Sequence, residues 1–308
     1  MTRLRICFIG LGVMGLPMAR RIALAGFDLI VYDALSQARE AARHAGLSVS
    51  DDAYTAAKGA QIVILMLPNA AIVRDVLLGE GRVADAAGPG ALIVDMSTGG
   101  VSSLLRLGDD LAARQLRLMD VPVGRSKREA ETGELLALAG GSGDDLARFR
   151  PVLEAMASEI VHVGGLGQGL KLKLVNNYMS MVNHVLTAEV LAMAHRAGLT
   201  TDLAVRVLST TSAGLGQLNT NFPKKVLRGD VSPDFPINMG IKDLTLALEL
   251  CDDSQAEGAF GALARGLFVA AHDAGFGDYD CTGVLHYLEG LPAGDPKSTA
   301  RADGDPAS

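Results

Sequence analysis

The chain has 308 residues, 49% of them apolar, and a formal net charge of −7 at neutral pH. That length suits two domains with sizeable cores, while the acidic balance argues against nucleic acid or an anionic membrane as a partner. No apolar run reaches membrane-spanning length without interruption, and the three cysteines, Cys7, Cys251 and Cys281, show no metal-ligand spacing. The expectation is a cytoplasmic protein with reduced thiols and no metal.

Residues 4–9 form an apolar run that reads as a strand, and Gly10-Leu11-Gly12-Val13-Met14-Gly15 follows at once. Residues 18–23 then read as a helix, residues 29–32 as a second strand, and Asp33 closes that strand. Strand, G-x-G-x-x-G, helix, strand and acid is the order a dinucleotide site needs. The first glycine permits the turn, the second lets the backbone approach a pyrophosphate, and the third lets helix and strand pack closely. Asp33 can accept hydrogen bonds from the adenosine ribose and would repel a 2′-phosphate, so NAD is expected over NADP. A secretory leader is the competing reading, because Arg3 and Arg5 precede the apolar stretch; the glycines and Arg20-Arg21 interrupt it too early.

Further apolar runs at 61–67, 91–95, 116–120, 134–139 and 160–163 alternate with helical patterns. Near-continuous apolar strands between helices predict an α/β fold, a mostly parallel, doubly wound Rossmann sheet covered on both faces. Ligands of such sheets lie beyond the carboxyl ends of the strands. Those ends carry Leu67-Pro68-Asn69, Ser97-Thr98 and Pro122-Val123-Gly124-Arg125-Ser126.

The boundary is expected near residue 165. Residues 170–197 lack Gly and Pro, which predicts a long helix over about 169–197. An all-α second domain is expected over 166–290, with loops at 213–222, 229–240 and 274–283, and residues 291–308 read as a disordered tail. On the long helix Lys173, Asn176, Asn177 and Ser180 fall at i, i+3, i+4 and i+7, with His184 and Thr187 continuing the same face. Solvated faces favour Glu, Lys, Arg and Gln; one charge followed by amides and a hydroxyl suits a ligand better. A lysine there can serve as general acid or base once burial lowers its pKa. The cations Arg125, Lys127 and Arg128 suggest an anionic substrate, with Arg125 offering a planar fork, Gly124 a close backbone approach and Ser126 a further donor.

These residues resemble the β-hydroxyacid dehydrogenases, in the stretches 10–18, 95–98 and 120–141 and in Gly167-x-Gly169-x-x-x-Lys173-x-x-Asn176-Asn177. The resemblance spans residue 1 to about 290. It implies a Rossmann domain with NAD held by residues 10–15, Asp33, Leu67, Pro68, Asn69, Ser97 and Thr98, and a long connecting helix. It also implies an all-α domain that builds a homodimer or homotetramer. It makes Lys173 the catalytic acid/base, Asn176 a substrate-orienting amide, Ser97 a neighbour of substrate and nicotinamide, and Lys242 a residue that closes over the cofactor. Most members read Pro-Val-Ser-Gly-Gly where this chain has Pro-Val-Gly-Arg-Ser at 122–126. Gly124-Arg125-Ser126 with Asn176, Asn177 and Ser180 looks like the branch of 3-sulfolactaldehyde reductases. That implies NADH-dependent reduction of 3-sulfolactaldehyde to 2,3-dihydroxypropane-1-sulfonate, in sulfoglycolysis. The alternative is a carboxylate substrate of the tartronate semialdehyde or 3-hydroxyisobutyrate type. Gly99-Gly100 after Ser97-Thr98 departs from that branch.

Overall fold

A computed structural model describes residues 4–294; the proposed tail beyond residue 294 lies outside the described residues. By its contacts the chain divides into two compact units, Met1–Met179 and Ser180–Ser308.

The first unit is built on one nine-stranded sheet: β1 (Arg5–Ile9), β2 (Asp28–Tyr32), β3 (Ser48–Val49), β4 (Ile62–Leu65), β5 (Leu92–Asp95), β6 (Arg117–Asp120), β7 (Val123–Gly124), β8 (Leu135–Gly140) and β9 (Ala157–Gly164). Its spatial order is β3-β2-β1-β4-β5-β6-β8-β7, with β9 paired to β8. The first six strands run parallel. Strand direction changes at β8, which is antiparallel to β6 and β7 and parallel to β9.

The continuous apolar runs are explained by burial on both faces. In β1, Ile6 and Phe8 join a core with Met18, Val31 and Phe149, while Cys7 and Ile9 join another with Val63, Leu77 and Leu111. Alternate side chains of one strand thus enter two separate cores. Burial pushes the Cys7 thiol up to about 12, so it is a packing residue and not a nucleophile. The helices α1 (Gly15–Leu24), α2 (Ser36–His44), α3 (Ala53–Ala57) and α4 (Ala70–Leu78) link the first strands.

After β9 comes the long helix, Gln168–Arg196. The second unit is helical: it takes in the last part of that helix, from Ser180, and the helices Ile237–Ser254 and Ala259–Ala271. A small core of Val226, Val231, Ile237, Phe276 and Tyr279 holds it. The stretch expected as a loop at 213–222 instead contains the short helices Ser212–Leu215 and Gln217–Asn219. Five-residue π-type winding at His272–Phe276 extends the preceding helix into the expected 274–283 loop, until Gly275 breaks it. Among the described residues no helix is long and apolar enough to cross a membrane.

Candidate active site

The glycine loop joins β1 to α1 and behaves as the motif requires. Gly10 has φ +102°, and a Cβ there would lie 2.2 Å from the Met66 carbonyl oxygen. A Cβ on Gly15 would lie 1.9 Å from the Gly10 carbonyl oxygen, so the start of α1 can meet the turn only without a side chain. Gly12 differs: nothing lies within 4 Å of the place a Cβ would take, and it is exposed. Two glycines are set by the protein's own packing, and the middle one faces open space where a pyrophosphate can approach. Leu11 is buried, and Val13 and Met14 complete the turn.

Asp33 does more than the sequence reading assigned to it. Its Oδ2 accepts the Leu11 amide at 2.7 Å and its Oδ1 accepts the Leu35 amide at 2.8 Å. The acid therefore holds the glycine loop in place as well as presenting oxygens at the end of β2.

The next strand ends meet at Ser97. Its hydroxyl oxygen accepts the Leu67 amide at 2.9 Å, and its own amide donates to Asp95 Oδ1 at 2.9 Å. Buried Ser97 thus ties the loop after β4 to the loop after β5. Asn69 caps α4 by accepting the Ile72 amide at 3.0 Å, and Pro68 and Thr98 are exposed beside it in sequence. A cavity of about 600 Å³ opens here, lined in part by Ala70, Asp95, Gly99, Gly100 and Leu170. That is a volume suited to a small ligand. Gly99 keeps it open, since a Cβ there would sit 3.1 Å from Ala70 Cβ.

Two buried carboxylates that the sequence reading left without a role lie side by side in this register, Asp95 opposite Asp120. Asp120 is only 2% exposed. It accepts the Gly167 and Leu170 amides, each at 2.6 Å. Leu170 lies in the first turn of the long helix, where amides have no partner within the helix and a negative charge is favoured. The approach is close: a Cβ on Gly169 would lie 2.2 Å from the Leu138 carbonyl oxygen and 2.9 Å from Asp120 Oδ2. Asp120 thereby fixes the position and rotation of the helix three residues before Lys173. The available signal was an acid ending an apolar strand, Leu118-Met119-Asp120.

Asp95 is 8% exposed, and burial pushes its carboxyl up to about 6 against the hydrogen bonds from Ser97, with the Asp120 charge adding to the rise. A folded-state value above the ordinary aspartate 3.8 means that this group favours folding at low pH. That contribution is complete below the unfolded value and is lost as pH rises through about 6. The size is on the order of 3 kcal/mol. Asp95→Asn keeps an oxygen for the Ser97 amide and removes the charge. Its melting temperature is expected to exceed the parent's by a margin that is larger at about pH 8 than at about pH 4. Thermal melts of both proteins at both pH values check this; an equal margin contradicts it.

Lys173 is half-buried on the long helix, and burial pushes its ammonium below the usual lysine value. Asn177 is also half-buried, whereas Asn176 is exposed and donates through Nδ2 to Asn177 Oδ1 at 3.3 Å. The stripe ends at Ser180, which begins the second unit. Beyond it His184 Nδ1 lies 2.6 Å from the Ser180 carbonyl oxygen and the Thr187 hydroxyl donates to the Asn183 carbonyl at 2.7 Å, so these two are satisfied by their own helix. Lys242 is exposed in the second unit, on the helix Ile237–Ser254, paired with Asp243 at 3.1 Å.

The segment after β6 departs most from the sequence reading. Gly124 is buried against Leu136. The Arg125 fork expected to be free is occupied: its guanidinium donates to the Glu134 carbonyl, to Ser158 Oγ at 2.8 Å and to Glu159 Oε2 at 2.8 Å. Ser126 was read as a free donor. It instead caps the helix Lys127–Thr132 in a capping box, with its hydroxyl donating to Glu129 at 2.6 Å. Ser-Lys-Arg-Glu at 126–129 spells that box. Lys127 pairs with Glu131 at 3.5 Å on the outer face of the same helix. The Arg125 backbone has φ +73°, the largest of four positive values at non-glycine positions among the described residues.

The chain matches known proteins over most of its length. Residues 5–164 match the family of the NAD binding domain of 6-phosphogluconate dehydrogenase, and residues 167–288 match that described as NAD-binding of NADP-dependent 3-hydroxyisobutyrate dehydrogenase. The 3-sulfolactaldehyde reductase of Escherichia coli (strain K12) is 41% identical over 92% of this chain and 95% of that protein. The 3-hydroxyisobutyrate dehydrogenase of Pseudomonas aeruginosa is 34% identical over 85% of this chain and 90% of that protein. Among solved structures, Mycobacterium tuberculosis 3-hydroxyisobutyrate dehydrogenase with L-serine is 30% identical, covers 93% of this chain and 99% of its own, and has a TM-score of 0.65. The fold and the glycine loop therefore define an NAD-dependent oxidoreductase. The chain belongs to the β-hydroxyacid dehydrogenase family, of the 3-hydroxyisobutyrate dehydrogenase type.

Proposed function

We propose that this protein reduces 3-sulfolactaldehyde to 2,3-dihydroxypropane-1-sulfonate with NADH, using Lys173 as the general acid. The observation that carries the substrate is Arg125. A side chain at φ +73° costs on the order of 1–2 kcal/mol relative to glycine, and family members with Pro-Val-Ser-Gly-Gly carry glycine there. Strain retained at a site edge points to use. Similarity to the E. coli 3-sulfolactaldehyde reductase supports the same substrate. A sulfonate presents three oxygens on a tetrahedral sulfur, which suits a guanidinium with added donors from Asn176, Asn177 and Ser180. For Arg125 to engage it, Nη2 leaves Glu159, whose side chain is 56% exposed, while Nη1 keeps the Glu134 carbonyl and Ser158. An exposed pair is worth about 0–1 kcal/mol, and a charge-assisted bond to the substrate about 1.5–3 kcal/mol, so the exchange is favourable.

When bound, the reduced nicotinamide supplies the hydride to the aldehyde carbon. The chain's own part is position and protons. Residues 10–15, Leu67, Pro68, Asn69, Ser97 and Thr98 bind the dinucleotide, and Asp33 its adenosine ribose. Ser97 and Asn176 orient the carbonyl. The Lys173 ammonium gives its proton to the carbonyl oxygen, leaving a neutral amine and a neutral alcohol. In the reverse direction the amine takes that proton back.

The long helix exposes Val175 (66%), Tyr178 (75%), Met181 (57%) and Val185 (56%) along a broad side turned away from Lys173. We assign that face to a second copy of this chain, in a homodimer or homotetramer working in the cytoplasm.

Asp33 sets the cofactor. Asp33→Ser is expected to weaken NADH, since it removes ribose acceptors and loosens the hold on Leu11, and to improve NADPH by removing repulsion. Comparing kcat/KM with each cofactor on one aldehyde checks this. Equal or better use of NADPH by the unaltered protein contradicts the assignment.

A further inference from the structure

Helix α2 carries Arg39 and Arg43 one turn apart, on one face, beside the strand end that delivers Asp33. Both guanidinium groups are engaged. Arg43 Nη2 lies 2.5 Å from Asp51 Oδ1, and Arg39 Nε lies 3.2 Å from the same oxygen. Arg39 Nη1 also donates to the Asp33 carbonyl at 2.8 Å and to the Ala34 carbonyl at 3.0 Å. Its guanidinium carbon sits 5.8 Å from the centre of the Tyr32 ring. Asp51 itself is 73% exposed. Hydrogen bonds from Arg43 first and Arg39 second hold its carboxyl below the usual range.

In this fold an acid ending the second strand reads the ribose 2′-hydroxyl, and a nearby arginine is what accommodates a 2′-phosphate. This chain has both elements together: Arg39 is hydrogen-bonded to the backbone of the very residue whose side chain would read the 2′ position. Asp33 alone would face two unpaired cations, and its repulsion of a 2′-phosphate would be offset by them. Asp51 removes that offset.

We propose that Asp51 is a specificity-determining residue, which pairs with Arg39 and Arg43 and so withholds from the 2′ position the cations that would hold a 2′-phosphate. Discrimination against NADPH then has two sources, repulsion by Asp33 and sequestration by Asp51. The proposal rests on the reading that residues 10–15 bind the dinucleotide with its adenosine ribose at Asp33.

An exposed ion pair is worth at most about fivefold in an equilibrium constant. An arginine–phosphate hydrogen bond is worth roughly ten- to a hundredfold. The phosphate therefore competes for the arginines once Asp33 no longer repels it, at the cost of their pair with Asp51. Asp51→Asn alone is expected to tighten NADPH only about two- to fivefold. Added to Asp33→Ser, it is expected to tighten NADPH by the upper end of that range, a further fivefold or so, because the two carboxylates act on one group. Asp51→Asn should leave NADH affinity unchanged.

The test is equilibrium binding of NADH and NADPH to the full chain, read by calorimetry or by the fluorescence of the reduced nicotinamide. The proteins are the parent, Asp33→Ser, Asp51→Asn and the double variant, then the double variant with Arg39→Ala and Arg43→Ala added. Loss of the NADPH gain on removing the arginines is the expected result. A gain that survives their removal overturns the proposal, since it would then come from lost negative charge alone. So does a double variant no tighter than Asp33→Ser. If Asp33→Ser changes neither NADH nor NADPH affinity, the ribose reading fails as well, and that outcome is distinct from the other two.

Discussion

Lys173→Ala is expected to lower kcat by a factor on the order of 10²–10⁴, as for a lost general acid, while NADH binding stays unchanged. The two readouts separate because the dinucleotide loop, residues 10–15, lies on a different element from the helix that carries the lysine. The helix should also persist in the variant. Its first turn is fixed by Asp120 through the Gly167 and Leu170 amides, and alanine is a strong helix former. The parent enzyme should show the matching pH dependence. Burial lowers the Lys173 pKa, and the reduction needs the ammonium. Its rate should therefore fall as pH rises through a value below the ordinary lysine 10.5, and the oxidation rate should rise over the same window. Steady-state rates in both directions across pH, with dinucleotide titrations of the variant, check this. A Lys173→Ala protein with near-normal kcat would make the polar stripe a structural feature.

Arg125→Gly is expected to lower kcat/KM for sulfolactaldehyde roughly ten- to a hundredfold, the loss of one charge-assisted hydrogen bond. Carboxylate aldehydes should lose less, since glycine is what carboxylate-type relatives carry at this position. The backbone makes the experiment clean: at φ +73° glycine relieves strain, so an unfolded variant is not the expected source of lost activity. The melting temperature should hold or rise, even though contacts to Ser158 and Glu159 are lost. Ser180, seven residues from Lys173 and about 10 Å along the helix, suits the acid end of a three-carbon substrate. Ser180→Ala should act in the same direction, more weakly. Kinetics of both variants on both substrate classes decide the point. Equal losses on sulfonate and carboxylate would show that neither residue selects the acid group.

Much of the candidate site proposed here is legible in the sequence because its signals are local. The glycines at 10, 12 and 15, the acid at 33 and the polar face of residues 173–180 need only spacing to be read. The strand positions were legible because burial on both faces leaves an unbroken apolar run. The same property hid the direction of β8: an apolar run looks alike whether it lies parallel or antiparallel to its neighbours. Strands as short as Val123–Gly124 and Ser48–Val49 show no period at all. The larger misses are pairings between distant positions. Glu159 occupies Arg125 from 34 residues away, and Asp120 reaches Leu170 from 50 residues away. Periodicity carries no record of such partners, and Asp51 gains its meaning only when α2 lays Arg39 against Asp33.

The central claim is that this member of the family acts on a sulfonate. It is tested most directly by kcat/KM with NADH for 3-sulfolactaldehyde, tartronate semialdehyde and the aldehyde of 3-hydroxyisobutyrate, measured on the unaltered protein under one set of conditions. A clear preference for sulfolactaldehyde is expected, at least about tenfold, the worth of one well-placed charge-assisted contact. A carboxylate aldehyde turned over equally well or better would contradict it.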